Sequence, residues 1–217
     1  SDLDPIKDIT PIAVVGSTPM VLVVNAKFPA KNMQEFVALL KANPGKYNYA
    51  SSGNGTILHL AAELMKDATG TFATHIPYRG FGPMMADIIG GQVDFGVGAL
   101  VAVAGQIKSG NLRAICIASS QRAPSHPDIP TAAEQGFPKY LVEGWFAAVG
   151  PAKMSADNAR RIHAAVTTAF ATDEVKTAMA RQGNMINIQS PEASAAFFQS
   201  ELNKYARIVK KAGIKPD

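Results

Sequence analysis

An α/β fold with a mostly parallel sheet is the class this 217-residue chain predicts. Short β-branched apolar runs alternate with helical periodicity from about residue 20 to 120, and Gly, Pro or Asn signals separate them. Hydrophobic residues make up 47% and charged residues 18%, which suffices for a packed core and argues against disorder.

The elements follow in order. Ser1 to Pro11 is polar, holds two prolines and reads as a loop. Val14-Val15 and Met20 to Val24 read as two buried strands. Asn32 can cap a helix with Met33, Phe36, Val37 and Leu40 at helical spacing, ended by Asn43-Pro-Gly45. Tyr47 to Ala50 predicts a strand, and a helix over Ile57 to about Asp67 carries Ile57, Leu60, Ala61 and Leu64 on one face. Thr71 to Ile76 predicts the next strand. Pro83 suits the first turn of a helix reaching Ile89. Val93 to Val97, Ala99 to Lys108 and Leu112 to Ala118 complete the alternation as strand, helix and strand. Gln121 to Lys139 holds four prolines and reads as loop, Tyr140 to Val149 as a strand, and Ala156 to Ala171, Glu174 to Arg181 and Pro191 to Ala212 as helices.

Net charge is +4, which suits small anionic partners. The basic residues are scattered, with short pairs such as Arg160-Arg161 and Lys210-Lys211 that read as solvated helix faces. Aromatic content is 7%, so nucleic acid is not an expected partner. The single cysteine, Cys116, sits in an apolar run and reads as a buried, inert thiol. No stretch has the apolar length of a membrane span. No signal peptide is present, as expected of a leader already removed or of a start downstream of one.

Ser51-Ser-Gly-Asn-Gly-Thr56 is the most informative segment. It joins a strand to a helix, where unpaired N–H groups and the helix dipole favour an anion. Gly53 and Gly55 let the backbone turn and approach a ligand, and Ser51, Ser52, Asn54 and Thr56 add polar groups. The other reading is an ordinary capped turn with Thr56 or Asn54 as cap. The loop lacks the Lys of a Walker motif and the spacing of a dinucleotide fingerprint. Arg79, in Pro77-Tyr-Arg-Gly80, can fork onto a carboxylate or pair with a local acid or carbonyl. His59 and Glu63 stand four apart on one helix without a third ligand at a recognisable spacing, so no metal is expected. Ser51 or Ser52 with His59 suggests a nucleophile and base of a serine hydrolase, but neither serine has the Gly-x-Ser-x-Gly elbow. Trp145 is placed as a cleft or hinge wall and Phe146 in the core.

Several ordered segments resemble one family across essentially the whole chain: Leu39-Leu-Lys-Ala-Asn-Pro-Gly-Lys46, Tyr49-Ala-Ser-Ser-Gly-Asn-Gly-Thr56, Ile76-Pro-Tyr-Arg-Gly80, Gly90-Gly-Gln-Val-Asp94, Gly110-Asn-Leu-Arg-Ala114, Pro127-Asp-Ile-Pro-Thr131 and Tyr205 to Ile214. The chain resembles the Bug receptors, the TctC-type solute-binding proteins of tripartite tricarboxylate transporters. The resemblance implies a periplasmic-binding-protein-like fold of type II, a Venus flytrap of two α/β lobes. It implies a periplasmic receptor without catalysis or cofactor that hands a di- or tricarboxylic acid, acidic amino acid or aromatic acid to membrane transporter subunits. The implied contacts are Ser51 to Thr56, His59, Tyr78, Arg79, Gly98 and Trp145. Gly98 and Ala99 stand where the family often carries an Asp-Asn pair. The implied layout is a second ligand-binding lobe over 25–118, with 1–24 and 119–217 as the remainder of the first. The chain starts near the family's Pro-x-Lys-Asp segment, here Pro5 to Pro11, so the first half of lobe one is expected to be absent and the exposed edge to favour a homodimer. An effector-sensing lobe of a transcription regulator and a small serine hydrolase are the rival classes.

Overall fold

The computed structural model describes residues Lys7–Lys215. Its elements are β1 (Ile9–Asn25), α1 (Met33–Ala42), β2 (Asn48–Ser51), α2 (Ile57–Thr69), β3 (Thr74–Pro77), α3 (Phe81–Gly90), β4 (Phe95–Ala99), α4 (Leu100–Lys108), β5 (Leu112–Ile117), β6 (Glu143–Pro151), α5 (Ala156–Phe170), α6 (Asp173–Arg181), β7 (Met185–Ile186) and α7 (Pro191–Ala212). The chain forms two compact units. One comprises residues up to Thr18 with Trp145–Arg207; the other comprises Pro19–Gly144 with the stretch from Ile208 onward. The second unit therefore includes 25–118 and extends beyond it at both ends.

In that larger unit the sheet order is β3-β2-β4-β1-β5. β2 runs parallel to β3 and β4, while β1 runs antiparallel to β4 and β5. Four of the five strands thus share a direction and β1 opposes them. The core is apolar and layered: Val21 to Val24 are fully buried, and Phe36 meets Phe95 edge-on at 4.9 Å. Cys116, on the outermost strand β5, is fully buried, and burial raises its thiol pKa, as its apolar run predicts.

Two apolar runs expected as separate strands are one strand of 17 residues, because Gly16 to Pro19 does not turn. Gly16 and Ser17 pair with β7, and pairing with β4 begins at Met20. Pro19 lies between these ladders, where its missing N–H leaves no ladder bond open. Ser1 to Ile6 of the expected opening loop lie outside the described residues, and Ile9 to Pro11 belong to β1 rather than to a loop.

The α2 stripe is also rotated from the expected one. Ile57 is 43% exposed, while Leu58, Ala61, Ala62, Leu64 and Met65 are buried together with His59 and Glu63. Tyr140 donates to the Ala61 carbonyl at 3.2 Å, so the helix is covered on a second side as well as by the sheet. Tyr140 itself precedes β6, which starts at Glu143 and not at Tyr140.

The smaller unit builds its core from Ile12, Ala13, Val15 and Ala159, with Phe146, Met154, Val166, Phe170 and Ile188 packed on it. Phe146 has the core place expected of it. Among the described residues, no helix is long and apolar enough to cross a membrane.

Candidate functional site

Parallel strands bring their carboxyl ends to one sheet edge, and ligands collect at such edges in α/β folds. Here the register sets Ser51 beside Pro77, and Tyr49 and Ala50 beside Phe95 and Gly96. Beyond those ends begin α2, α3 and α4, so three helix starts share one edge. Two backbone bonds join the first two loops: Tyr78 N–H donates to the Ser51 carbonyl at 3.0 Å and Gly80 N–H to the Ser52 carbonyl at 3.2 Å.

The Ser51–Thr56 loop is held by its own polar groups. Thr56 caps α2 and accepts from His59 N–H. Its hydroxyl donates to the Gly53 carbonyl at 2.8 Å and accepts from the Ser52 hydroxyl at 3.1 Å. Gly55, at φ +77, is in the left-handed region that favours glycine, and its N–H donates to His59 Nδ1 at 3.0 Å. Asn54 donates to the Lys215 carbonyl at 3.0 Å. Thr56 is therefore the cap and Asn54 is not. The N–H groups of Ile57 and Leu58 have no acceptor among the described residues.

The other two starts are barer. Neither Gly80 before α3 nor Ala99 before α4 makes a side-chain cap bond. None of α2, α3 and α4 carries an acidic residue in its first turn. Unpaired N–H groups and uncompensated dipole ends thus meet at this edge. Arg79, between β3 and α3, is exposed and makes no hydrogen bond or ion pair among the described residues. It supplies a guanidinium without a partner among the described residues in the loop that leads into α3.

The remaining expected contacts have other engagements. Ser51 is fully buried, and its hydroxyl lies 2.6 Å from His75 Nε2. Tyr78 donates its hydroxyl to Asp87 of α3, and desolvation with that acceptor pushes its pKa up to about 12. Gly98 is buried beneath α4; a Cβ there would lie 2.7 Å from Val103 Cγ1, so close helix packing explains the glycine. Trp145 belongs to the smaller unit, edge-on to Phe197 and Phe198 of α7 at 5.3 and 4.9 Å.

Neither Ser51 nor Ser52 pairs with His59 as the hydrolase pattern requires. Ser52 bonds to Thr56, and His59 accepts from Gly55 with Nδ1 while its Nε2 lies 3.9 Å from Glu63. Glu63 is engaged by the Tyr49 hydroxyl and by Lys66 at 2.8 Å. The serine that does meet a histidine, Ser51, is fully buried and bonded on both sides to Gly53, so no substrate reaches it. Among the described residues no group of three or more His, Cys, Asp or Glu side chains is placed to hold a metal. The sequence offers no role for His75, one of several scattered histidines: it lies on β3, Ser51 on β2 and His59 on α2, and only strand pairing brings the three together.

The class these features define is an α/β lobe with an anion-receptive carboxyl edge. The chain belongs to the tripartite tricarboxylate transporter family receptors, whose family model matches residues 2–214. Protein BugT of Bordetella pertussis strain Tohama I is 34% identical over 210 residues, covering 97% of this chain and 64% of BugT. The chain therefore spans a little under two thirds of that relative's length. The structure of R. palustris Rpa4515 with adipate superposes with a TM-score of 0.81 at 26% identity, covering 99% of this chain and 72% of that one. MatC (Rpa3494) from Rhodopseudomonas palustris with bound malate superposes at 0.78 with 27% identity, covering 96% and 72%.

Proposed function

We propose that this chain is the ligand-capturing part of a periplasmic solute-binding receptor, which holds a small carboxylate for a membrane transporter and performs no catalysis. The larger unit is read as the second ligand-binding lobe, with 25–118 at its centre. The observation that carries the reading is the carboxyl edge: three helix starts free of acidic residues, with Arg79 unpaired among them. A carboxylate fits that edge because its two oxygens accept from amides while its charge meets the guanidinium. Family membership supports the receptor role, and the relatives holding adipate and malate make dicarboxylates the first ligands to try.

The test is thermal unfolding against adipate, malate, glutamate and benzoate. A ligand that binds only the folded chain stabilises it by about 2.7 kcal/mol at a hundred times its Kd. At least one of the four is expected to raise the melting temperature, and Arg79→Gln to remove most of the rise. If no acid moves the transition at millimolar concentration, the carboxylate reading is wrong.

A further inference from the structure

Beneath the Ser51–Gly55 loop lies a buried side-chain cluster that amide and Arg79 contacts leave without a role. His59 of α2 and His75 of β3 stack face to face, with ring centres 3.7 Å apart and planes 10° apart. Tyr49 of β2 stacks on His75 at 5.0 Å. Each imidazole secures a different part of the loop. Gly55 N–H donates to His59 Nδ1 at 3.0 Å. His75 Nε2 lies 2.6 Å from the Ser51 hydroxyl, which donates to the Gly53 carbonyl at 3.1 Å and accepts Gly53 N–H at 3.2 Å.

These bonds fix the protonation of His59. An N–H donor needs a lone pair opposite it, so Nδ1 is bare and the ring proton sits on Nε2, 3.9 Å from Glu63. A serine hydroxyl has one donor and two acceptor sites. With Gly53 filling one of each, the last site on Ser51 accepts from His75 Nε2–H.

We propose that His59 and His75 are positioning residues for the ligand loop: His75 secures Ser51, and His59 secures Gly55 only while its ring is neutral, so the loop loses its Gly55 anchor, and with it the binding shape, as pH falls. A proton on His59 Nδ1 would set donor against donor at Gly55. A proton on His75 Nδ1 would leave its Nε2–H donating to Ser51 and place a positive charge on the ring stacked against His59. The other titratable or charged groups around the pair are Tyr49 from β2, Glu63 and Lys66 from α2, and Lys215 after α7, which lines the same cavity. Burial is the largest influence on both rings. It lowers His59 against the pull of Glu63, and with His59 beside it lowers His75 to about 4. Both folded values lie below the unfolded value of about 6.5, so the unfolded chain binds more protons in that window. Stability is full above about pH 6.5 and declines as pH falls toward about 4.

The inference rests on reading the loop as the carboxylate site, but its first test needs no ligand. In the 15N-labelled chain, histidine ring-nitrogen shifts and the Gly55 hydrogen-exchange protection factor are followed from about pH 7.5 to about 4.5. Gly55 is expected to lose protection about ten-fold or more in step with protonation of His59. His59→Asn, whose side-chain oxygen can stand where Nδ1 stands but does not titrate, is expected to keep Gly55 protected throughout. His59→Phe, which keeps a stacking ring without the acceptor, is expected to lose protection already at about pH 7.5. Flat protection in the wild-type chain while His59 titrates overturns the proposal, as does a wild-type pH response in His59→Asn. The wild-type titration decides alone if either variant fails to fold. In a second arm, adipate and malate binding is compared at about pH 7.5 and 5.5. Weakening in the wild type but not in His59→Asn supports the coupling, and equal weakening in both removes it. Absence of binding at either pH counts against the proposed function and leaves the loop result standing.

Discussion

The two edges of the larger unit's sheet treat charge in opposite ways. At the edge where β1 ends and α1 begins, the polar groups are satisfied. Asn32 caps α1 by accepting from Glu35 N–H at 2.9 Å, and Glu35 supplies an acid in the first turn. Arg113 at that edge donates to the Phe28, Ala30 and Ala26 carbonyls at 2.8, 2.9 and 3.1 Å. At the carboxyl edge, α2, α3 and α4 have no first-turn acid, α3 and α4 have no side-chain cap, and Arg79 has no partner among the described residues. A fold optimised for stability alone would cap both edges, since each cap is worth about 1 kcal/mol. Leaving one edge bare is what the proposed carboxylate site would require of its donors.

Exchanging the two arginines should break this comparison most visibly. Arg79→Gln is expected to weaken binding of whichever dicarboxylate responds by about 10- to 100-fold, the worth of a hydrogen bond to a charged group, with little change in the free chain's melting temperature. Arg113→Gln should do the reverse, costing about 1–3 kcal/mol of stability through its lost carbonyl bonds and leaving affinity unchanged. Calorimetric titration and thermal unfolding of the two variants read both effects. A smaller effect comes from Asn32→Ala, which should lower stability by about 1 kcal/mol in urea without altering ligand affinity. Smallest in stability and sharpest in meaning is Ile57→Glu. An acid in the first turn of α2 should stabilise the chain by about 0.3–1 kcal/mol through the helix dipole, yet abolish the carboxylate response by occupying its place. A variant that gained stability and still bound the acid would show that α2 is not the receiving helix.

Much of the fold was legible because local chemistry settles it. The spacing Met33, Phe36, Val37, Leu40 after Asn32 gave α1 and its cap, and α7 spans Pro191–Ala212 as the pattern predicts. Other features depended on neighbours distant in sequence. Gly16 to Pro19 looks like a break until β7 and β4 take up the strand on either side of Pro19. The buried side of α2 extends to Leu58, Ala62 and Met65 beyond the expected stripe, and Tyr140, far along the chain, reaches its Ala61 carbonyl. β7 is only two residues long, too short for any periodicity.

By itself the sequence determined the segments with local causes: the glycines and hydroxyl residues that shape the Ser51–Thr56 turn, the helix caps, and the apolar run that buries Cys116. Tertiary structure alone decided which loop amides are already spent and which remain, because β3 brings His75 under Ser51 while α2 turns His59 toward Gly55. The physical reason is that a hydrogen-bond donor is available only when no acceptor reaches it, and reach across strands is a property of the pairing register rather than of any one segment.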